Sequence, residues 1–142
     1  MDTTAGLERF IIAQEQKYEI ALAEIKNSKK QSHWMWYIFP QLEGLGLSEM
    51  ARKYGIRDAA EATAYLAHPL LGERLLTICN ELMSQPGNDA YAIFGSPDDV
   101  KLRSCLTLFS ALNKTDPVFE NLLQKFYNGS KDVKTLKILH LN

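Results

Sequence analysis

Ser32-His33-Trp34-Met35-Trp36-Tyr37-Ile38-Phe39-Pro40-Gln41-Leu42-Glu43-Gly44-Leu45-Gly46 holds both tryptophans of the chain and one of its three histidines. Aromatic side chains bring a large apolar surface, but the indole N–H and the phenol O–H need partners once buried. The stretch is therefore a piece of core with polar tips to satisfy. Its period admits two readings. As a strand, His33, Met35, Tyr37 and Phe39 share a face; as a helix, His33, Trp36 and Tyr37 share one, and Ser32 is a ready N-cap. A short apolar run is not settled by period alone. Pro40 ends any helix near Phe39, because the residue before a proline is pushed out of the α region. Gly44-Leu45-Gly46 then predicts a turn, and Ser48 a cap for the next helix.

The flanks set the class. Leu7, Phe10, Ile11, Gln14, Tyr18, Ala21, Leu22 and Ile25 fall on one stripe, which predicts a helix from Ala5 to Asn27. Gln14 sits in the middle of that stripe, where an amide finds partners or costs about 1–3 kcal/mol. A polar loop follows, and Lys26, Lys29 and Lys30 place positive charge ahead of His33. Beyond the glycine turn, Ser48–Tyr54 reads as a short helix stopped by Gly55. Asp58 and Glu61 form a capping-box pattern that opens a helix over Ala59–Ala67. His68-Pro69 breaks the chain, with His68 as a cap. The next helix runs to about Ser84, with Leu71, Leu75, Ile78, Cys79 and Leu82 inward. Asp89–Phe94 is a brief helix or a turn, closed by Gly95.

Ser96-Pro97-Asp98-Asp99 is the clearest helix start: a cap, a proline at the first position, and two acids at the positive end. The helix it opens, near 97–113, leaves only Asp99, Arg103, Ser110 and Lys114 suited to solvent, so it is the central helix. Asp116-Pro117 starts another that Asn128-Gly129 ends. Asp132 caps a last one with Val133, Leu136, Leu139 and His140 inward. With no alternating strand pattern, the fold class is all-α, about eight helices in one domain over 1–142.

Composition narrows the functions. A net charge of −1 gives no field favouring nucleic acid or an anionic membrane, and no apolar run reaches the length of a spanning helix. The first residues, Met1-Asp2-Thr3-Thr4-Ala5-Gly6, lack the basic and apolar parts of a signal peptide. Cys79 and Cys105 each lie inside an apolar helical pattern with no metal-ligand spacing. They read as buried, reduced thiols in a cytoplasmic protein, with no metal or cofactor expected.

Several motifs resemble those of an uncharacterised bacterial family, domain of unknown function 1810. They are His33-Trp34-Met35-Trp36-Tyr37-Ile38-Phe39-Pro40-Gln41 with Gly44-Leu45-Gly46-Leu47-Ser48; Arg9-Phe10…Ala13-Gln14; Tyr65-Leu66-Ala67-His68-Pro69-Leu70-Leu71-Gly72-Glu73-Arg74; Phe94-Gly95…Asp98…Lys101-Leu102-Arg103-Ser104; Thr107-Leu108-Phe109; and Gly129…Asp132…Thr135-Leu136. The resemblance spans nearly the whole chain and implies an all-helical single domain. It carries no activity and no catalytic residue. Proteins of the family are often labelled calpastatin. Calpastatin-type inhibitors are disordered, whereas the apolar content and capped helices here are those of a folded domain.

The candidate chemistry centres on His33, which follows Lys29 and Lys30. An imidazole is a side chain suited to serve as a general acid or base. Gln14, Trp36 and Gln41 are polar groups able to orient a small ligand in an apolar cleft. Lys101 and Ser104, with Asp98, lie on neighbouring turns of the central helix. Lys101 either activates the Ser104 hydroxyl or pairs with Asp98, and the pairing is the plainer expectation. Arg74 reads as a salt-bridge residue able to hold an anion, and Gly44-Leu45-Gly46 as a weak anion site. Two functions fit. One is a protein that binds, with or without turning it over, a small polar or anionic ligand in a pocket near His33, nucleotide-like compounds among the options. The other is a structural or interaction module in which the same groups only tie short helices together.

Overall fold

The computed structural model describes residues 5–141. Met1–Thr4, part of the segment read above as lacking a leader, and Asn142 lie outside the described residues. A 3-10 turn, Ala5–Leu7, leads into ten helices: α1 Glu8–Gln14, α2 Tyr18–Lys26, α3 Met35–Ile38, α4 Glu49–Tyr54, α5 Ala59–Ala67, α6 Leu71–Ser84, α7 Ala90–Phe94, α8 Asp98–Ser110, α9 Val118–Tyr127 and α10 Val133–Ile138. The all-α class stands, with two helices more than the pattern suggested. Extended backbone among the described residues amounts to one isolated parallel bridge, Leu42 to Ile56.

The central helix is α8. Leu102 and every residue from Ser104 to Phe109 are buried, and α5, α7, α9 and α10 all pack on it. A second axis is α6, which packs on α2, α5 and α9. Rings link the two ends of the core. Tyr37 meets Tyr54, Tyr54 meets Phe10, Phe10 meets Tyr65 edge-on at 5.1 Å, and Tyr65 meets Phe109, which stacks on Phe119 of α9. Offset and edge-on pairs of this kind add about 0.5–1.5 kcal/mol each beyond their buried area.

Local signals set most boundaries. Ser48, Asp58, Asp89 and Asp132 each accept a hydrogen bond from a backbone N–H in the first turn of their helix. The His68 imidazole Nδ1 accepts from the N–H groups of Leu70 and Leu71. Asn128 and Gly129 take positive φ and return the Gly129 N–H to the carbonyl of Leu123, closing α9. Gly55 ends α4 for a different reason from the one expected. Its backbone is extended, and a Cβ there would stand 2.7 Å from the Glu43 Cα, so the glycine permits the close approach that forms the Leu42–Ile56 bridge.

Five expectations gave way in the folded chain. The helix predicted for Ala5–Asn27 is divided after Gln14, where the Lys17 N–H closes a turn on the Gln14 carbonyl at 3.1 Å. Ser32 does not cap α3. Its hydroxyl donates to the carboxylate of Glu24, and the helix starts after Trp34. Ser96 makes no cap for α8, which begins after Pro97 and stops at Ser110, short of 113. In α10 the residue that turns inward is Thr135, while Val133 is 60% exposed and His140 is exposed. The expected capping box at α5 is half formed: Asp58 accepts from the Glu61 N–H, but Glu61 turns to Arg9 and Arg57.

Two carboxylates hold loops to helices, and each yields a prediction. Glu61 is only 2% exposed and accepts from the guanidinium groups of Arg9 and Arg57, both at 2.8 Å, and from the Arg57 N–H. Burial pushes its carboxyl up, but these donors outweigh that effect and hold it below the ordinary range. Glu61→Ala removes the carboxylate that joins Arg9 to Arg57 and should lower stability by about 1–3 kcal/mol in urea unfolding. Glu24 accepts from the N–H groups of Gln31 and Ser32, the Ser32 hydroxyl and the Trp34 indole. Burial again opposes the charge, yet the Ser32 and Gln31 donors and the Trp34 indole carry the carboxyl down to about 2 from 4.5. Its contribution is therefore full above the unfolded value and is lost as pH falls from there toward 2. Glu24→Gln should flatten that acid limb of the stability curve, measured by denaturant midpoints across pH 2–6.

Candidate functional site

A cavity of about 610 Å³ opens between the chain that follows α3, helix α4, the face of α8 and the start of α10. Its lower wall is set by α8, whose register brings Val100, Lys101, Arg103 and Ser104 to the space. Trp36 and Gln41 face them from the aromatic stretch. Leu45, Leu47 and Ala51 form an apolar side, and Asp132, Val133 and Lys134 close the far end. The glycine-rich turn and the Leu42–Ile56 bridge place this apolar side opposite α8.

The polar groups have definite partners. The Lys101 ammonium sits 4.2 Å from the centre of the Trp36 ring and 3.7 Å from the Asp98 carboxylate. Asp98 also pairs with Lys30 at 2.8 Å, which anchors the loop before His33 to the start of α8. The Ser104 hydroxyl donates to the Val100 carbonyl at 3.3 Å, inside its own helix. Lys101 is thus the partner of Asp98 and Trp36, and no Lys101–Ser104 hydrogen bond forms among the described residues. Asp132 is buried. One of its oxygens accepts from both the N–H and the hydroxyl of Thr135, and its own N–H donates to Thr107.

Arg103 is the residue that the sequence pattern missed. Its position on α8 suggested solvent, but it is half-buried and lines the cavity. Among the described residues its Nε is the buried side-chain nitrogen or oxygen atom without a hydrogen-bond partner, and the guanidinium forms no ion pair within 4 Å. The Tyr127 ring stands 5.9 Å away, its hydroxyl committed to the Asp99 carbonyl. A guanidinium partly stripped of water and given no acceptor is an under-solvated cation.

The structure therefore brings four of the six sequence candidates together: Trp36, Gln41, Lys101 and Ser104 line one cavity. The other two lie apart. His33 is exposed on the loop before α3, outside the lining, with its carbonyl accepting from the Tyr37 hydroxyl. Gln14 is 1% exposed in the core. Its amide donates to the Tyr37 carbonyl at 2.7 Å and the Tyr65 hydroxyl at 2.9 Å, and its oxygen faces Arg74 at 3.4 Å. Both cysteines are free and buried, and burial pushes their thiols up, which disfavours a thiolate.

An all-helical chain with a cavity lined by Lys101, Arg103 and Lys134 is what fold and geometry define among the described residues. The chain belongs to the family described as "Protein of unknown function (DUF1810)", whose model matches residues 4–139. It is similar to the conserved hypothetical protein Rv1873 from Mycobacterium tuberculosis, known from a crystal structure, with 42% identity and a TM-score of 0.92. The match covers 96% of this chain and 97% of that one. No curated protein matches. No described helix is long and apolar enough to cross a membrane.

Gln14 gives a test of the boundary between core and cavity. Gln14→Leu leaves the Tyr37 carbonyl and Tyr65 hydroxyl without a partner. It should cost about 1–3 kcal/mol in thermal or urea unfolding.

Proposed function

We propose that the chain binds a small anionic ligand in the cavity between α4, α8 and the start of α10. The observation that carries this reading is Arg103, a lining guanidinium with a buried Nε and no acceptor among the described residues. Lys101 and Lys134 add positive charge to the same lining, against Asp132. Gln41 and Ser104 supply hydrogen-bonding groups, and the Trp36 ring an aromatic wall. Nucleotide-like compounds belong among the ligands tested, because a base stacks on an indole. The free, buried cysteines accord with a reducing compartment, and the cytoplasm is part of this reading. The site residues proposed are Trp36, Gln41, Lys101, Arg103 and Ser104. The reading assigns no reaction.

A second reading, an interaction module, is favoured by the apolar rim of the same cavity. Leu47 is 81% exposed, and Val100 and Val133 are also open to solvent. The two readings separate in a thermal-shift and calorimetric screen against nucleotides, sugar phosphates, inorganic phosphate and small carboxylates. Ligand at about 100 times its dissociation constant adds about 2.7 kcal/mol of stability, a shift of several degrees. Binding should be lost in Arg103→Gln and weakened in Lys101→Ala, while His33→Ala leaves it unchanged. No shift from any anion would overturn the ligand reading.

A further inference from the structure

Resting on the anion reading, we propose that the ligand is a monocarboxylic acid with an apolar body, its carboxylate held by the terminal Nη groups of Arg103. The buried Nε leaves the two Nη groups as the accessible donors of this guanidinium. An Arg fork matches the two oxygens of a carboxylate with parallel N–H···O bonds. With Nε buried, the charge of this guanidinium meets its surroundings through the Nη groups alone, and these are where an anion docks.

The rest of the lining argues for a single charge. The Lys101 ammonium is already set over the Trp36 face and beside Asp98. Lys134 is exposed at the rim, where water screens it. The buried carboxylate of Asp132 lines the same cavity and repels a second negative charge. A polyphosphate would bring several charges to a space where, besides Arg103, Lys101 is already paired and Lys134 lies exposed. Stacking a purine on the Trp36 face that carries the Lys101 ammonium requires that ammonium to move. Leu45, Leu47, Ala51, Val100 and Val133 instead give the same cavity an apolar lining, suited to an alkyl or aryl body.

The experiment uses the full chain and octanoate, phenylacetate, octanamide, ATP and inorganic phosphate as probes, read by titration calorimetry. The acids should bind and octanamide should not. Arg103→Lys should weaken octanoate binding about tenfold, because a point ammonium loses the fork, and Arg103→Gln about 30-fold or more. Val100→Asn, at a half-exposed wall position, adds no charge beside Arg103 and should weaken the acids but spare the fold, checked by circular dichroism. Equal binding of octanamide and octanoate would overturn recognition of the charge. Binding of ATP or phosphate through Arg103, without the acids, would overturn the monocarboxylate and keep the anion site. Binding of no anion at all would overturn both.

Discussion

One buried amide ties the structure together. Gln14 at the end of α1 gives its two N–H bonds to the carbonyl of Tyr37 and the hydroxyl of Tyr65, and its oxygen meets the guanidinium of Arg74. Those partners lie in α3, α5 and α6. The four-residue α3 cannot satisfy its own last carbonyls, as no short helix can, and it is buried where water does not reach them. Without the amide, the aromatic stretch has a bare carbonyl in the core. With it, the rings from Tyr37 through Phe10 and Tyr65 to Phe109 fall into one packed series.

The site depends on that knot at one remove. Once α3 is fixed, Pro40 turns the chain, and Gln41 and Glu43 pair across to Ile56. This pairing closes the loop that carries Leu45, Leu47 and α4, and so sets the wall opposite α8. On the other side, Asp98 holds both Lys30 and Lys101, and the Trp36 ring holds the same ammonium. The cavity is thus bounded by groups already engaged with each other. Arg103 adds to them a guanidinium whose buried Nε has no partner among the described residues, and the proposed chemistry of the space follows from it.

Local chemistry made much of the fold readable. The caps at Ser48, Asp58 and Asp132 form as their residue types and spacings predict, because each bond lies within one turn. The apolar positions of α6 are buried as a set, because a helix of that length has one face and the period names it. The reading fails where a polar side chain prefers a distant partner. Ser32 gives up a local cap for Glu24, Glu61 leaves its box for two arginines, and the long N-terminal helix breaks after Gln14.

The sequence alone determined the all-helical class, the central position of α8, the grouping of Trp36 and Gln41 on one stretch, and the pairing of Lys101 with Asp98. All of these rest on period, composition or neighbours along one helix. Only the tertiary structure decided that His33 faces solvent, that Gln14 belongs to the core, and that Arg103 lines a cavity with a buried, unpartnered nitrogen. A helical wheel gives the direction of a side chain but not what stands there. Around Arg103 that is α9 on one side and a loop folded back through the Leu42–Ile56 bridge on the other, both distant along the chain.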